Sequence, residues 1–467
     1  MKKLFLAAFM IVLAISVKNA FGQTEPEQDS IQELELARAL LSDMQVSLDS
    51  LDSNLLVPIE QLADSLIELN LFAEAHEYLD RAIQIVRADD GLYTEYQRPL
   101  LVKKIENYID LDDWDNVREN LDHLSWLYIT KSRRINENLV EDLLVLSRIH
   151  LRAFTEDVSL FEGYHLKQSA RTRGMALAVA RAIWGETDVR LAPMIYDQLR
   201  QLHLQTAALW HGGPASSTLR QDALNGGRNW SGLLEYAPSV GNWNSRFDVN
   251  LNYYFLGLGL FDELHGIYAE EEAQNLEGLA MANLYLADWH ILYDMPEQAK
   301  ETYRLAYDGL LTAGVEAALL GELFSQPMII PESQFYATAG GALAAKQNRM
   351  VALGDKNSQN YLTFSEWSSV LPNVQSPINE DEQDLDPDYA LFSFSLGEIG
   401  AVLPLDVPRS IKSVSMIEQA QVLNHSIEPP PAELLLLEKL NSLTFRPKLV
   451  GGTPQQFDGR LKYQIAD

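Results

Sequence analysis

The sequence predicts a mainly α protein, an array of packed helical hairpins, followed by a small α+β domain of order strand, strand, helix, strand. Three observations carry this. One alanine pattern occurs twice: Ala63, Ala75 and Ala82 are spaced by 12 and 7 residues, and so are Ala287, Ala299 and Ala306. Acidic charge is concentrated before residue 389. From residue 389 onward, helical periodicity gives way to strand-like alternation.

The chain begins with Met1-Lys2-Lys3 and an apolar run from Leu4 to Val17 that only Ser16 interrupts. Ala20-Phe21-Gly22 supplies small residues at a cleavage site, so residues 1–22 read as a signal peptide cut between Gly22 and Gln23. The run is shorter than the ~20 residues that span a hydrocarbon core, which favours cleavage over retention as an anchor. With no cysteine in the chain, lipoprotein acylation, disulfides and thiolate metal sites are excluded. Residues 23 to about 54 are acidic and are expected to fray before the first hairpin.

The helical repeat domain is placed at 23–354. Alanines at a helix crossing let two backbones approach, and a larger neighbour (Leu79 in one copy, Tyr303 in the other) fills the space beside them. Ala75 and Ala82, seven apart, share one helix face. Ala63 then belongs to the preceding helix, across a turn at Asn70. Asp294 is the corresponding turn in the second copy. This spacing resembles the tetratricopeptide (TPR) repeat, in which small residues hold these positions. Two weaker copies follow the same scheme. Gly259, Phe261, Leu264 and Tyr268 match the turn glycine, aromatic, small and large aromatic positions. Trp114, Val117, Leu121 and Leu124 repeat the first copy at a step of 42 residues. That longer step, together with Ala180-Arg181-Ala182-Ile183-Trp184-Gly185-Glu186, is similar to the TPR variants of kinesin light chains.

Helical periodicity breaks at about 211–244, a glycine-bearing insertion holding Trp230, Tyr236 and Trp243. Those aromatics either pin the loop to neighbouring helices or form a contact surface. Helices resume near Phe247 and run to about Lys346. Residues 355–388, with Pro372, Pro377, Pro387 and the run Glu380 to Asp384, read as an acidic linker.

In the final segment, 389–467, Ala390 to Leu396 and Ile411 to Gln419 read as strands. Pro429-Pro430-Pro431 opens a helix from Ala432 to about Leu443, and Arg460 to Ile465 forms the last strand. The stretch Leu440 to Pro454 resembles the carboxy-terminal domain of TonB-type energy transducers, on Phe445-Arg446-Pro447 and on Gly452-Thr453-Pro454. Departures are Ala390 after Tyr389, where many members have Tyr-Pro, and the Pro404 to Arg409 segment between the first two strands. The resemblance implies an α+β sandwich and a Gram-negative envelope location. It does not imply coupling to proton-motive force, because no long proline-rich spacer precedes the domain.

The whole chain carries 36 basic and 66 acidic residues, a formal charge of −30. Residues 389–467 hold eight acidic and seven basic side chains, so the acidity lies in the helical region and linker. Such a field repels nucleic acid and anionic lipid, and it either attracts a basic partner or keeps an extended array soluble. No H-E-x-x-H, G-x-S-x-G or phosphate-cradling loop is present. Asp384, Asp386 and Asp388 begin like a calcium loop, but Tyr389 stands where glycine is needed and Ser395 where a bidentate glutamate is needed. His290 takes an aromatic position on a repeat helix and reads as packed. The sequence thus predicts no catalytic, metal or cofactor site. It predicts a non-enzymatic periplasmic adaptor that binds a protein or peptide, not nucleic acid, and has no integral membrane span after cleavage. The alternatives are an auxiliary of TonB-dependent outer-membrane transport and, third, an enzyme with its site in 211–244.

Overall fold

The computed structural model describes residues 26–128, 135–157, 162–211, 246–269, 275–351, 361–363, 389–396, 417–424 and 444–464. The chain is mainly helical. It divides into two compact units between Arg133 and Arg134.

The first unit holds α1 (Pro26–Ser47), α2 (Leu56–Glu68), α3 (Phe72–Asp90), α4 (Arg98–Asp110) and α5 (Trp114–Trp126). α2 pairs with α3 and α4 with α5. The expected fraying at 23–54 is corrected by α1, which buries Leu34 and Leu41, seven apart, on one face. Ala63, Ala75 and Ala82 are fully buried, as is Leu79 beside them. In the α4–α5 hairpin Ile105, Val117, Leu121 and Leu124 are also fully buried.

The second unit holds α6 (Glu137–Glu156), α7 (Glu162–Trp184), α8 (Leu191–His211), α9 (Arg246–Ala269), α10 (Leu276–Leu292), α11 (Pro296–Thr312), α12 (Ala317–Leu323) and α13 (Ala339–Val351). Asn136 caps α6 by accepting from Leu139 N, and Asn275 caps α10 by accepting from Gly278 N. Pro296 opens α11, where a missing N–H costs nothing. Ala287 on α10 and Ala299 and Ala306 on α11 are fully buried, with Tyr303.

Three hairpins turn in the same way. Asn70, Asp112 and Asp294 have φ of 57°, 56° and 58°, a left-handed conformation that asparagine and aspartate tolerate better than most residues. The next N–H in each closes on the carbonyl five residues back: Leu71 on Leu66 at 2.8 Å, Asp113 on Tyr108 at 2.9 Å and Met295 on His290 at 2.8 Å. Asn70 and Asp112 are 42 residues apart, the step read from Ala75 to Val117. Gly259 does not follow this scheme. It lies inside the unbroken α9, so the expected turn is absent; Trp289 instead presses on Gly257, where an added Cβ would come within 2.1 Å of its ring.

Eight strands complete the described residues: β1 (Met328–Ile330), β2 (Tyr361–Thr363), β3 (Tyr389–Leu396), β4 (Ile417–Asn424), β5 (Thr444–Arg446), β6 (Lys448–Val450), β7 (Thr453–Gln455) and β8 (Phe457–Gln464). One sheet has the order β2-β8-β3-β4, with β3 antiparallel to both neighbours and β2 parallel to β8. β1 pairs antiparallel with β5, and β6 with β7. Two expectations change here. Tyr361–Thr363, read as linker, form a strand. The second strand runs on to Asn424, past its expected end at Gln419, and residues 411–416 lie outside the described set. The signal segment with Gly22 and Gln23, the insertion beyond His211, the rest of the linker and the 432–443 helix also lie outside it.

Candidate functional site

The terminal motif does not stay within a domain of its own. β5 pairs with β1 in the register Met328 to Arg446, Ile329 to Phe445 and Ile330 to Thr444. This pairing drives the Arg446 side chain into a fully buried socket in the helical unit. Its Nε donates to Asp288 Oδ1 at 2.9 Å, and its Nη2 donates to Asp288 Oδ2 at 2.5 Å and to Glu332 Oε1 at 2.7 Å. Tyr303 on α11 donates to the same Asp288 Oδ1 at 2.7 Å. The guanidinium carbon lies 5.6 Å from the centre of the Tyr285 ring. Tyr196 of α8 meets that ring edge-on at 4.8 Å and donates to the Glu332 carbonyl at 3.2 Å.

Burial sets the electrostatics. Desolvation pushes the Asp288 carboxyl above its ordinary value, and the Arg446 guanidinium and Tyr303 hydroxyl oppose that rise. Burial alone would lower the arginine, but Asp288 and Glu332 outweigh it and hold Arg446 protonated. Desolvation, with Asp288 alongside, keeps the Tyr303 hydroxyl well above its ordinary value, so it remains a donor. A planar guanidinium matches two carboxylates by geometry as well as charge, which a lysine cannot do.

The residues around Arg446 clamp the same segment. Phe445 is fully buried, and Pro447, Leu449 and Pro454 are buried with it. Leu449 N donates to the Phe324 carbonyl at 3.1 Å. Gly452 has φ of 76° and lies so close to α11 that an added Cβ would come within 2.8 Å of Tyr307 Cβ and 3.2 Å of the Arg304 Cα. The Gly-x-Pro step therefore works as a close-approach device between a hairpin and a helix.

Local sequence pattern marks the motif residues but not Asp288, Glu332, Tyr196 and Tyr285. One signal was available: an aspartate follows the first alanine in both copies, Asp64 after Ala63 and Asp288 after Ala287. In the first unit Asp64 accepts from Lys103 of α4 at 2.7 and 2.9 Å. The same hairpin position recruits a cation from a following segment in both units.

Buried histidines form the remaining polar centres. His290 is buried, shares a 3.0 Å hydrogen bond with the Tyr254 hydroxyl, and is lowered by burial to a pKa of about 4. Burial likewise lowers His203 to about 4. Between α6 and α7, His150 Nδ1 lies 3.2 Å from His165 Nδ1, whose Nε2 lies 3.3 Å from Asp157. Burial, then the second histidine, brings His150 to about 3. Among the described residues no group of His, Cys, Asp or Glu is arranged to hold a metal ion, and no helix is long and apolar enough to cross a membrane.

No family model matches the chain, and no curated protein matches it. The structure is compatible with a helical-repeat fold, and the site is held by the α10–α11 hairpin, Tyr196 of α8, Glu332 and the terminal segment.

Proposed function

We propose that this chain is a non-enzymatic adaptor of the Gram-negative periplasm, a TPR-like array whose surface captures a protein or peptide partner. The observation that carries the reading is the recurring hairpin. Asn70, Asp112 and Asp294 turn alike, and stacked hairpins of this kind build extended surfaces used for binding. The charge of −30 fits a basic partner and disfavours nucleic acid and anionic lipid. The TonB-like terminal segment also closes the α10–α11 hairpin, where Arg446 meets Asp288. Crosslinking in intact cells, followed by fractionation and mass spectrometry, tests the proposal. The expected result is a soluble periplasmic chain beginning at Gln23 and joined to a defined protein partner. A chain that stays with the inner membrane after a salt wash, or one whose deletion abolishes TonB-dependent uptake, would overturn it.

A further inference from the structure

Positive charge gathers in one region of this acidic chain. Residues 162–211, which span α7 and α8, hold six basic and four acidic side chains, against −30 for the whole chain. Arginines from three helices act on one another there: Arg148 of α6, Arg173 of α7 and Arg200 of α8. Asp197 of α8 is the carboxylate they share. Arg173 Nη1 donates to Asp197 Oδ2 at 2.8 Å. Arg200 Nη1 reaches Asp197 Oδ1 only at 3.4 Å and makes its closer bond to the Ser333 carbonyl, a neutral acceptor. Arg148 is exposed and has no ion pair or hydrogen bond with a described residue. Three guanidinium groups and one carboxylate leave the cluster with two uncompensated positive charges.

The other carboxylates of the neighbouring elements are engaged elsewhere or too far along. Glu156 holds Arg152, Glu137 holds Trp184 and Arg190, and Glu332 holds Arg446. Glu141 shares the α6 face of Arg148 but precedes it by seven residues, about 10 Å along the axis. Burial lowers the Arg173 guanidinium below its ordinary value; Asp197 opposes that fall, and Arg200 and Arg148 add to it. Donors also outnumber acceptors. Nε of Arg173, Nε of Arg200 and Nε2 of Gln201, one turn beyond Asp197, are buried without a partner. The arginine stems are packed but their ends are reachable, with Arg173 13% and Arg200 28% exposed at the side chain.

We propose that Arg148, Arg173 and Arg200 form a binding site for a phosphate group, either free phosphate or a small phosphate monoester. A dianion cancels the two uncompensated charges, and its oxygens only accept, which suits a cluster short of acceptors. Guanidinium groups match phosphate oxygens in geometry as well as charge. Arg148 and Arg200 supply the free Nη donors, while Arg173 stays on Asp197 and adds its field. A small anion meets this local field, whereas an anionic membrane surface meets the negative charge of the whole chain. The site goes beyond the adaptor reading and stands or falls without it.

The test follows the melting temperature of the full chain in rising sodium phosphate, with sodium chloride holding the ionic strength constant. A ligand of the folded state raises the midpoint. The expected result is a saturating rise with inorganic phosphate and with O-phosphoserine. Arg148→Gln, at an exposed position, should weaken the apparent affinity by about tenfold, the scale of one charge-assisted hydrogen bond. Asp197→Asn removes the carboxylate that competes with the anion and should tighten binding severalfold. Lys300→Gln and Glu301→Gln make the same charge changes on α11 and should leave affinity within about twofold. No rise at constant ionic strength, or equal effects of the α11 and cluster variants, would mean general screening and overturn the site. Flotation of the chain with phosphatidic acid vesicles, without any response to the soluble phosphates, would also overturn it, because the occupant is then a membrane surface. A response to only one of the two soluble phosphates, lost in Arg148→Gln, supports the site and names its source.

Discussion

The hairpins α2–α3 and α10–α11 are built alike and finished differently. Both bury three alanines at the same spacing and both turn through a left-handed Asn or Asp. Both place an aspartate one residue after the first alanine. In the first, the cation that answers it comes from the next helix, and the pair stays near the surface, with Lys103 33% and Asp64 47% exposed at the side chain. In the second, no further helix supplies that cation. The chain brings back a strand from residue 446, and the pair is buried, at 3% and 4%. A repeat array needs a different solution at its last unit, because the face that would pack on a following repeat must be covered. Here the segment from Thr444 to Phe457 supplies the cover.

That contrast predicts very different costs for analogous substitutions. Arg446→Met leaves Asp288 and Glu332 buried without their cation and should destabilise the second unit by about 3–5 kcal/mol in chemical denaturation. Lys103→Met removes the equivalent partner in the first unit, and comparable losses for the two would break the comparison.

Packing at the crossings should be alike in both hairpins. Ala75→Leu and Ala299→Leu each insert bulk at fully buried positions and should each cost about 1–3 kcal/mol. Glu74→Leu, at a partly exposed position beside Ala75, should be close to neutral. A melting temperature for Ala299→Leu matching that of Glu74→Leu would mean the helices do not cross there.

Acid should separate the units as well. Burial holds His203 and His290 near a pKa of about 4, below the ordinary 6.5. As pH falls through 6.5 the unfolded chain takes up these protons and the folded chain does not. Their contribution is therefore complete above pH 6.5 and lost as pH falls through about 4. The loss is on the order of 1–3 kcal/mol per histidine. His290→Phe should flatten the slope of stability against pH over that window, and an unchanged slope would remove this histidine from the account.

The smallest effect is expected from Lys103→Met itself, about 0–1 kcal/mol, diminishing further in high salt.

Much of the first comparison was legible in the sequence, because it rests on local spacing. Alanines 12 and 7 apart, with a turn residue between helices, define a hairpin without reference to the rest of the chain. The 42-residue step was legible for the same reason. The socket was not. Asp288 and Arg446 are 158 residues apart, and no periodicity links a helix position to a three-residue strand. Phe445, Arg446, Pro447, Gly452 and Pro454 stood out as a motif, but their burial depends on partners that only the fold supplies. β1 was missed because Met328 to Ile330 is too short to show alternation. Gly259 misled because a glycine within a helix resembles a turn glycine when its neighbours are aromatic.

Residues 444–457 close the α10–α11 hairpin as part of the second unit, with Arg446 as the fastening. Hydrogen exchange on the full chain tests it most directly, comparing wild type with Arg446→Met. Amides of 444–450 and of α10 and α11 should be protected in wild type and lose protection together in the variant, while those of α2 and α3 should not change. Rapid exchange of 444–450 in wild type, or protection of that segment undiminished in Arg446→Met, would contradict it.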